Sequence, residues 1–172
     1  MVDVKIFSKR EAMLASLTET IEAFKTSQPL SEAYVAMHEA WQGIPKIYVS
    51  AEDFERIPST IFDVALRHEV AHSALHGSPE YYILNIPSQL AEEFRKQGFT
   101  DYEGETLAYL EAVALKDFEA SELLKKLGFI EDQAAFILYS FRMDEAERAT
   151  WKLASINSKA WRFLKMQKFC PA

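Results

Sequence analysis

Apolar positions recur every three or four residues along most of this chain, and its few glycines and prolines fall between the stretches that do so. That period predicts a helix-rich protein. Leu14, Leu17, Ile21 and Phe24 place a helix over 11–25, ended by Ser27, Gln28 and Pro29, and a second helical stretch over 31–41 stops before Gly43 and Pro45. Residues 46–50, Lys-Ile-Tyr-Val-Ser, are rich in β-branched and aromatic side chains and form the best strand candidate. Residues 1–7 alternate weakly, so one small sheet is expected. Behind Pro58, Thr60 with Asp63 three residues on resembles a capping box, and the helix it opens runs to Leu75 or His76. Gly77 is expected as the left-handed residue after its end, with Pro79 preventing continuation. Further helices are predicted over 87–97, 101–127 (closed by Gly128), 131–141 and 144–169. With no internal repeat and no linker longer than a few residues, residues 1–172 read as one α+β domain, predominantly helical.

Composition narrows the classes of function. The 172 residues are 49% hydrophobic and 26% charged, enough apolar material for a packed core and too much for a disordered chain. The formal net charge is −7 and no basic cluster could track a phosphate backbone, so nucleic acid is not an expected ligand. Cys170 is the single cysteine, which excludes an intrachain disulfide and a cysteine-based zinc knuckle and fits a cytoplasmic protein. The opening residues carry Asp3 and Lys5, leaving no apolar run long enough for a signal peptide. The best apolar run, 133–141, falls far below the roughly 20 residues that span a bilayer, so no membrane partner is expected.

One motif carries chemistry. His68-Glu69-Val70-Ala71-His72 lies inside the best-delimited helix. Four residues advance a helix by about 6 Å and 400°, so His68 and His72 stack on one face and can both reach a single tetrahedral Zn²⁺. Glu69 is turned about 100° from His68, badly placed to ligate but close enough to take a proton from water, as a general base must. Zinc lowers the pKa of water to roughly 7, which makes that proton available near neutrality. The competing view is two helix histidines hydrogen-bonded to acidic neighbours.

The stretch His68-Glu-Val-Ala-His-Ser-Ala-Leu-His-Gly77 resembles the zincin metallopeptidases, and among them the small ImmA/IrrE-type members, in which Leu-His commonly follows as Leu75-His76 does here. The resemblance covers roughly 60–77. It implies a zinc-dependent peptidase with a small N-terminal sheet beside the zinc helix, acting on a peptide or protein substrate. The metzincin pattern is excluded, because it needs Gly at position 75 and His at 78, where this chain has Leu75 and Ser78. His76 lies about 12 Å along the helix from His68, too far to share one ion, and is expected to orient a ligand or cap the helix end.

A gluzincin-like site takes its third ligand from a carboxylate on a later helix. The spacing of thermolysin-like members would select Glu92, which projects away from the apolar face of its own helix. On the long helix, Asp117 falls about 40° from the centre of the apolar face, between Leu124 and Leu110, where a carboxylate needs a compensating cation. Zinc is one such cation; Arg67 or Lys116 is the alternative. Glu105 is the position favoured by the ImmA/IrrE pattern, although the Ala and Asn expected after it are missing. Glu111 lies on the more polar side, and Glu103 at the helix start. This orders the candidates Asp117, Glu105, Glu103.

Other polar residues are less informative. His38-Glu39 lies in a predicted helix with no second ligand at metal spacing, and is expected at the surface or facing a partner. Tyr81, Tyr82, Tyr102 and Tyr109 are candidate oxyanion donors between which the sequence does not choose. Trp151, Ala154, Ser158, Trp161 and Leu164 form a stripe suited to a core or to a homodimer contact. Two functions follow: a zinc metallopeptidase with His68, His72 and Asp117 as ligands and Glu69 as base, or a zincin-fold regulatory or scaffold protein that binds zinc with little turnover.

Overall fold

The computed structural model describes residues 1–24, 35–140 and 148–149. They form, in order, β1 (Asp3–Phe7), α1 (Arg10–Phe24), β2 (Ala36–Glu39), β3 (Lys46–Ser50), α2 (Ala51–Arg56), α3 (Ser59–Leu75), a short 3₁₀ turn (Pro79–Tyr82), α4 (Ser88–Lys96), α5 (Asp101–Lys126) and α6 (Ile130–Ser140). The architecture is α+β and predominantly helical. The predicted helix over 144–169, with its Trp151 to Leu164 stripe, lies outside the described residues.

The chain divides into two compact units. One comprises Met1–Ile83 with Glu119–Phe136; the other comprises Leu84–Phe118 and the described residues from Ile137 on. Helix α5 is continuous through the division, so its N-terminal two-thirds belong to the second unit and its end to the first.

The first unit is built on a three-stranded sheet of order β1-β3-β2. β1 runs parallel to β3, with Val4 opposite Ile47 and Ile6 opposite Val49, and β2 runs antiparallel to β3, with Ala36 opposite Val49 and His38 opposite Ile47. Side chains of successive strand residues point to opposite faces. On one face Ala36, Ile47 and Val49 pack with Phe62 and Ala65 of α3. On the other, Met37 and Tyr48 pack with Met13 and Leu17 of α1. The sheet is therefore sandwiched between α1 and α3. Each large side chain buried in such a layer, Phe62 among them, contributes roughly 1.5–3 kcal/mol.

Residues 36–39 correct the helix predicted over 31–41; residues 31–34 lie outside the described part. Both faces of β2 are buried, so the alternation that marks a half-exposed strand is missing and the apolar spacing imitates a helix. Glu39, fully buried, is tolerated because it accepts hydrogen bonds from the Trp41 backbone N–H (2.8 Å) and the Tyr48 hydroxyl (3.1 Å), with the Lys46 ammonium 3.5 Å away. Burial and the neighbouring Glu39 carboxylate push the Tyr48 phenol well above its ordinary range, which keeps it a donor.

Two other local expectations change. Helix α3 starts at Ser59 behind Pro58, without a side-chain cap from Thr60; the Pro58 carbonyl accepts from the N–H groups of Ile61 and Phe62. Gly77 is not left-handed, since the positive-φ glycines of the described residues are Gly43, Gly98 and Gly128. Glycine is needed at 77 for space: a Cβ there would lie 2.4 Å from the Ser73 carbonyl oxygen and 2.9 Å from Pro45 Cγ. Gly128 does close α5 as expected, at φ 92°, in a Schellman arrangement where Phe129 N–H reaches the Leu124 carbonyl and Gly128 N–H that of Lys125. Phe129 then packs against Leu124, Ala120 and Ala71, which ties the end of α5 to α3.

Candidate metal centre

The buried stripe of α3 begins with Phe62 and Ala65 against the sheet and continues through His72 to His76 at the C-cap. The face that anchors the helix therefore also carries its histidines. The His68 and His72 Nε2 atoms are 3.0 Å apart, with the rings edge to face at 4.7 Å between centroids. Asp117 stands on α5 two residues ahead of the stretch that belongs to the first unit. One ligand atom from each of His68, His72 and Asp117 falls within 4.8 Å of the others, the one such His/Cys/Asp/Glu group among the described residues.

This donor set fits a zinc ion. Two nitrogens at about 2.0–2.1 Å from a tetrahedral Zn²⁺ would be about 3.3–3.4 Å apart, close to the separation of the two Nε2 atoms. Two imidazoles and one carboxylate are the protein ligands of a catalytic zinc that keeps its fourth position open. His72 is buried, whereas neither His68 nor Asp117 is.

The desolvation argument for Asp117 is corrected by its exposure: it is not sunk in an apolar core. Arg67, proposed as its alternative partner, instead makes an ion pair with Asp132 and lies over the Phe129 ring. Lys116 is substantially buried, which lowers its ammonium pKa, while the neighbouring Asp117 acts in the opposite direction.

The rival carboxylates stand elsewhere. Glu103 accepts from the backbone N–H and the hydroxyl of Thr100, both at 2.9 Å, while Thr100 accepts from the Glu103 N–H, a capping box that opens α5. Those hydrogen bonds hold its carboxyl below the usual range. Glu105 is exposed and lines a cleft with Ile86, Ala91, Phe94 and Gly104 in the second unit. Glu92 and Glu111 are exposed. Glu69 is half-buried on α3, and its backbone carbonyl accepts from the Ser73 hydroxyl.

The region also contains residues that sequence reasoning missed. His38 is not at a surface: it is 7% exposed on β2, and its ring stacks on that of His72 at 6.0 Å and 15°. Nδ1 of His38 is 2.7 Å from the Tyr82 hydroxyl, so of the four candidate tyrosines Tyr82 reaches the histidines through His38, and Tyr81 lies against the His76 ring at 5.0 Å. All four histidines of the chain thus gather around His72. His76, 1% exposed, is 3.1 Å from His72 between their Nδ1 atoms and 2.8 Å from Glu119 Oε2 through its Nε2. The only signal for His38 was the scarcity of histidine, and Glu119 gave none, because the helical wheel sets it outside the apolar arc of α5.

No protein family, curated protein or solved structure matches this chain. No helix among the described residues is long and apolar enough to cross a membrane.

Proposed function

We propose that this protein is a cytoplasmic zinc metallopeptidase of zincin-like fold, hydrolysing a peptide or protein substrate. The observation that carries the proposal is the convergence of His68, His72 and Asp117 beside Glu69 in His-Glu-x-x-His. His68, His72 and Asp117 would hold the ion. When bound, Zn²⁺ supplies a Lewis acid that polarises the scissile carbonyl and makes water acidic near neutral pH. The Glu69 carboxylate takes the proton from water as its oxygen attacks the carbonyl, and then gives it to the nitrogen of the departing amine. One peptide bond is broken, one water consumed, and no redox change occurs. The small N-terminal sheet beside α3 supports the zincin-like reading of the fold.

The direct test is turnover. The purified full chain should carry about one zinc per molecule, cleave members of an unbiased peptide library, and lose that cleavage on chelation and regain it with zinc. One zinc with no cleavage of any peptide would favour the zinc-holding scaffold instead.

The third ligand is tested separately. Asp117→Ala should weaken zinc binding by about a hundredfold in competition with a chromogenic chelator, since one of three protein ligands is lost. Glu105→Ala should bind as the wild type does. The opposite pattern would move the third ligand to Glu105.

A further inference from the structure

We propose that Glu119, acting through His76, fixes the ring proton of His72 on Nδ1 and so presents the His72 Nε2 lone pair toward His68. Glu119, His76 and His72 lie along one line of hydrogen bonds. The Glu119 carboxylate can only accept, so the His76 Nε2 that lies 2.8 Å from it must carry the proton. In a neutral imidazole this leaves His76 Nδ1 as an acceptor. The atom 3.1 Å from that acceptor is His72 Nδ1, which must then be the donor. A neutral His72 protonated on Nδ1 has its lone pair on Nε2, the atom 3.0 Å from His68 Nε2. The polarity of the whole chain is imposed from its far end by a group that cannot donate.

Position supports this direction. His76 and His72 are buried, so water has little access to substitute for either link, whereas the Glu119 side chain is half exposed and is tied to the line by its tip. His76, the C-cap of α3, comes one turn after His72, and Glu119 is the first α5 residue of the same unit. Helix packing through Ala71, Ala120 and Leu124 holds the two ends in register. Metal-ligating histidines commonly donate their second N–H to a carboxylate or carbonyl, and disturbing that partner typically costs ten- to a hundredfold in metal affinity. Here a second imidazole is interposed. Glu119 and His76 are positioning residues, and the consequence for zinc rests on the metallopeptidase reading.

Nitrogen-15 NMR of the imidazole rings in the zinc-free full chain, at mildly alkaline pH where histidines are neutral, reads the tautomer directly. Wild-type His72 should be protonated on Nδ1. Glu119→Ala and Glu119→Gln should both give a mixture of tautomers, the second because an amide can turn either its oxygen or its NH₂ toward His76. Both should bind zinc ten- to a hundredfold more weakly with unchanged thermal unfolding. A wild-type His72 protonated on Nε2, or a tautomer indifferent to both substitutions, would overturn the proposal. If the tautomer follows Glu119 but wild-type protein binds no zinc, the relay stands and the metallopeptidase reading fails.

Discussion

His72→Ala should yield a protein that no longer retains zinc through gel filtration, and it should be the most damaging single change at the site. Structural zinc in small domains is worth about 10–16 kcal/mol, so each of the four protein ligands of such a structural site accounts for about 2.5–4 kcal/mol, a factor of roughly 10²–10³ in affinity. His72 contributes more than that share. Its ring is in contact with those of His38, His68 and His76, so truncation removes a ligand and also the centre of the histidine cluster. Because His72 is buried, the cavity should lower the melting temperature of the zinc-free protein as well. His68→Ala separates the two effects. His68 is only half-buried, with Phe136 beside it, so its loss should cost zinc to a similar degree while leaving the zinc-free melting temperature near that of the wild type. Zinc content unchanged in both variants, measured by atomic emission, would reject the site.

Much of this arrangement could be read from the residue pattern, and the exceptions have physical causes. Helix α3 and the C-terminal end of α5 were legible because their termini carry local signals, Pro58 at one and Gly128 at the other, that act independently of the fold. Strand β3 was legible from its own composition. Strand β2 was not, since a strand covered on both faces shows no alternation, and its conformation is decided by pairing with β3. Read as a helix, this segment places His38 at the surface. The strand instead aims it at α3, where it meets His72.

The metal group shows the same division. His68 and His72 come together through the period of one helix, which any reader of the sequence can compute. The helical wheel singles out Asp117 as a carboxylate amid apolar neighbours that needs a cation, yet it is not buried. Ala71 of α3 meets Ala120 and Leu124 of α5, a contact between residues about fifty positions apart that helical periodicity cannot supply. Glu119 illustrates the limit more sharply. A helical wheel scores a residue by the direction of its Cα–Cβ bond, whereas a glutamate tip can reach back to a buried imidazole while its stem stays in water.

Glu69→Gln should give the largest effect on turnover with the smallest effect on structure. Glu69 sits on α3 between the two histidines in sequence but about 100° around the helix from His68, and it is not one of the three residues of the group. The amide has nearly the volume of the carboxylate and preserves the helix, but it cannot accept a proton. General-base catalysis by a positioned carboxylate contributes typically 10²–10⁴-fold, and peptide cleavage should fall by about that factor. Zinc content should stay near one per chain and the melting temperature should not move. KM for a cleaved peptide should change little, because a group that acts only when the proton moves contributes nothing to ground-state binding. Three other outcomes would each change the assignment. Loss of zinc would make Glu69 a ligand. A matched rise in KM with kcat retained would make it a substrate contact. Undiminished cleavage would remove Glu69 from the chemistry and require a different base.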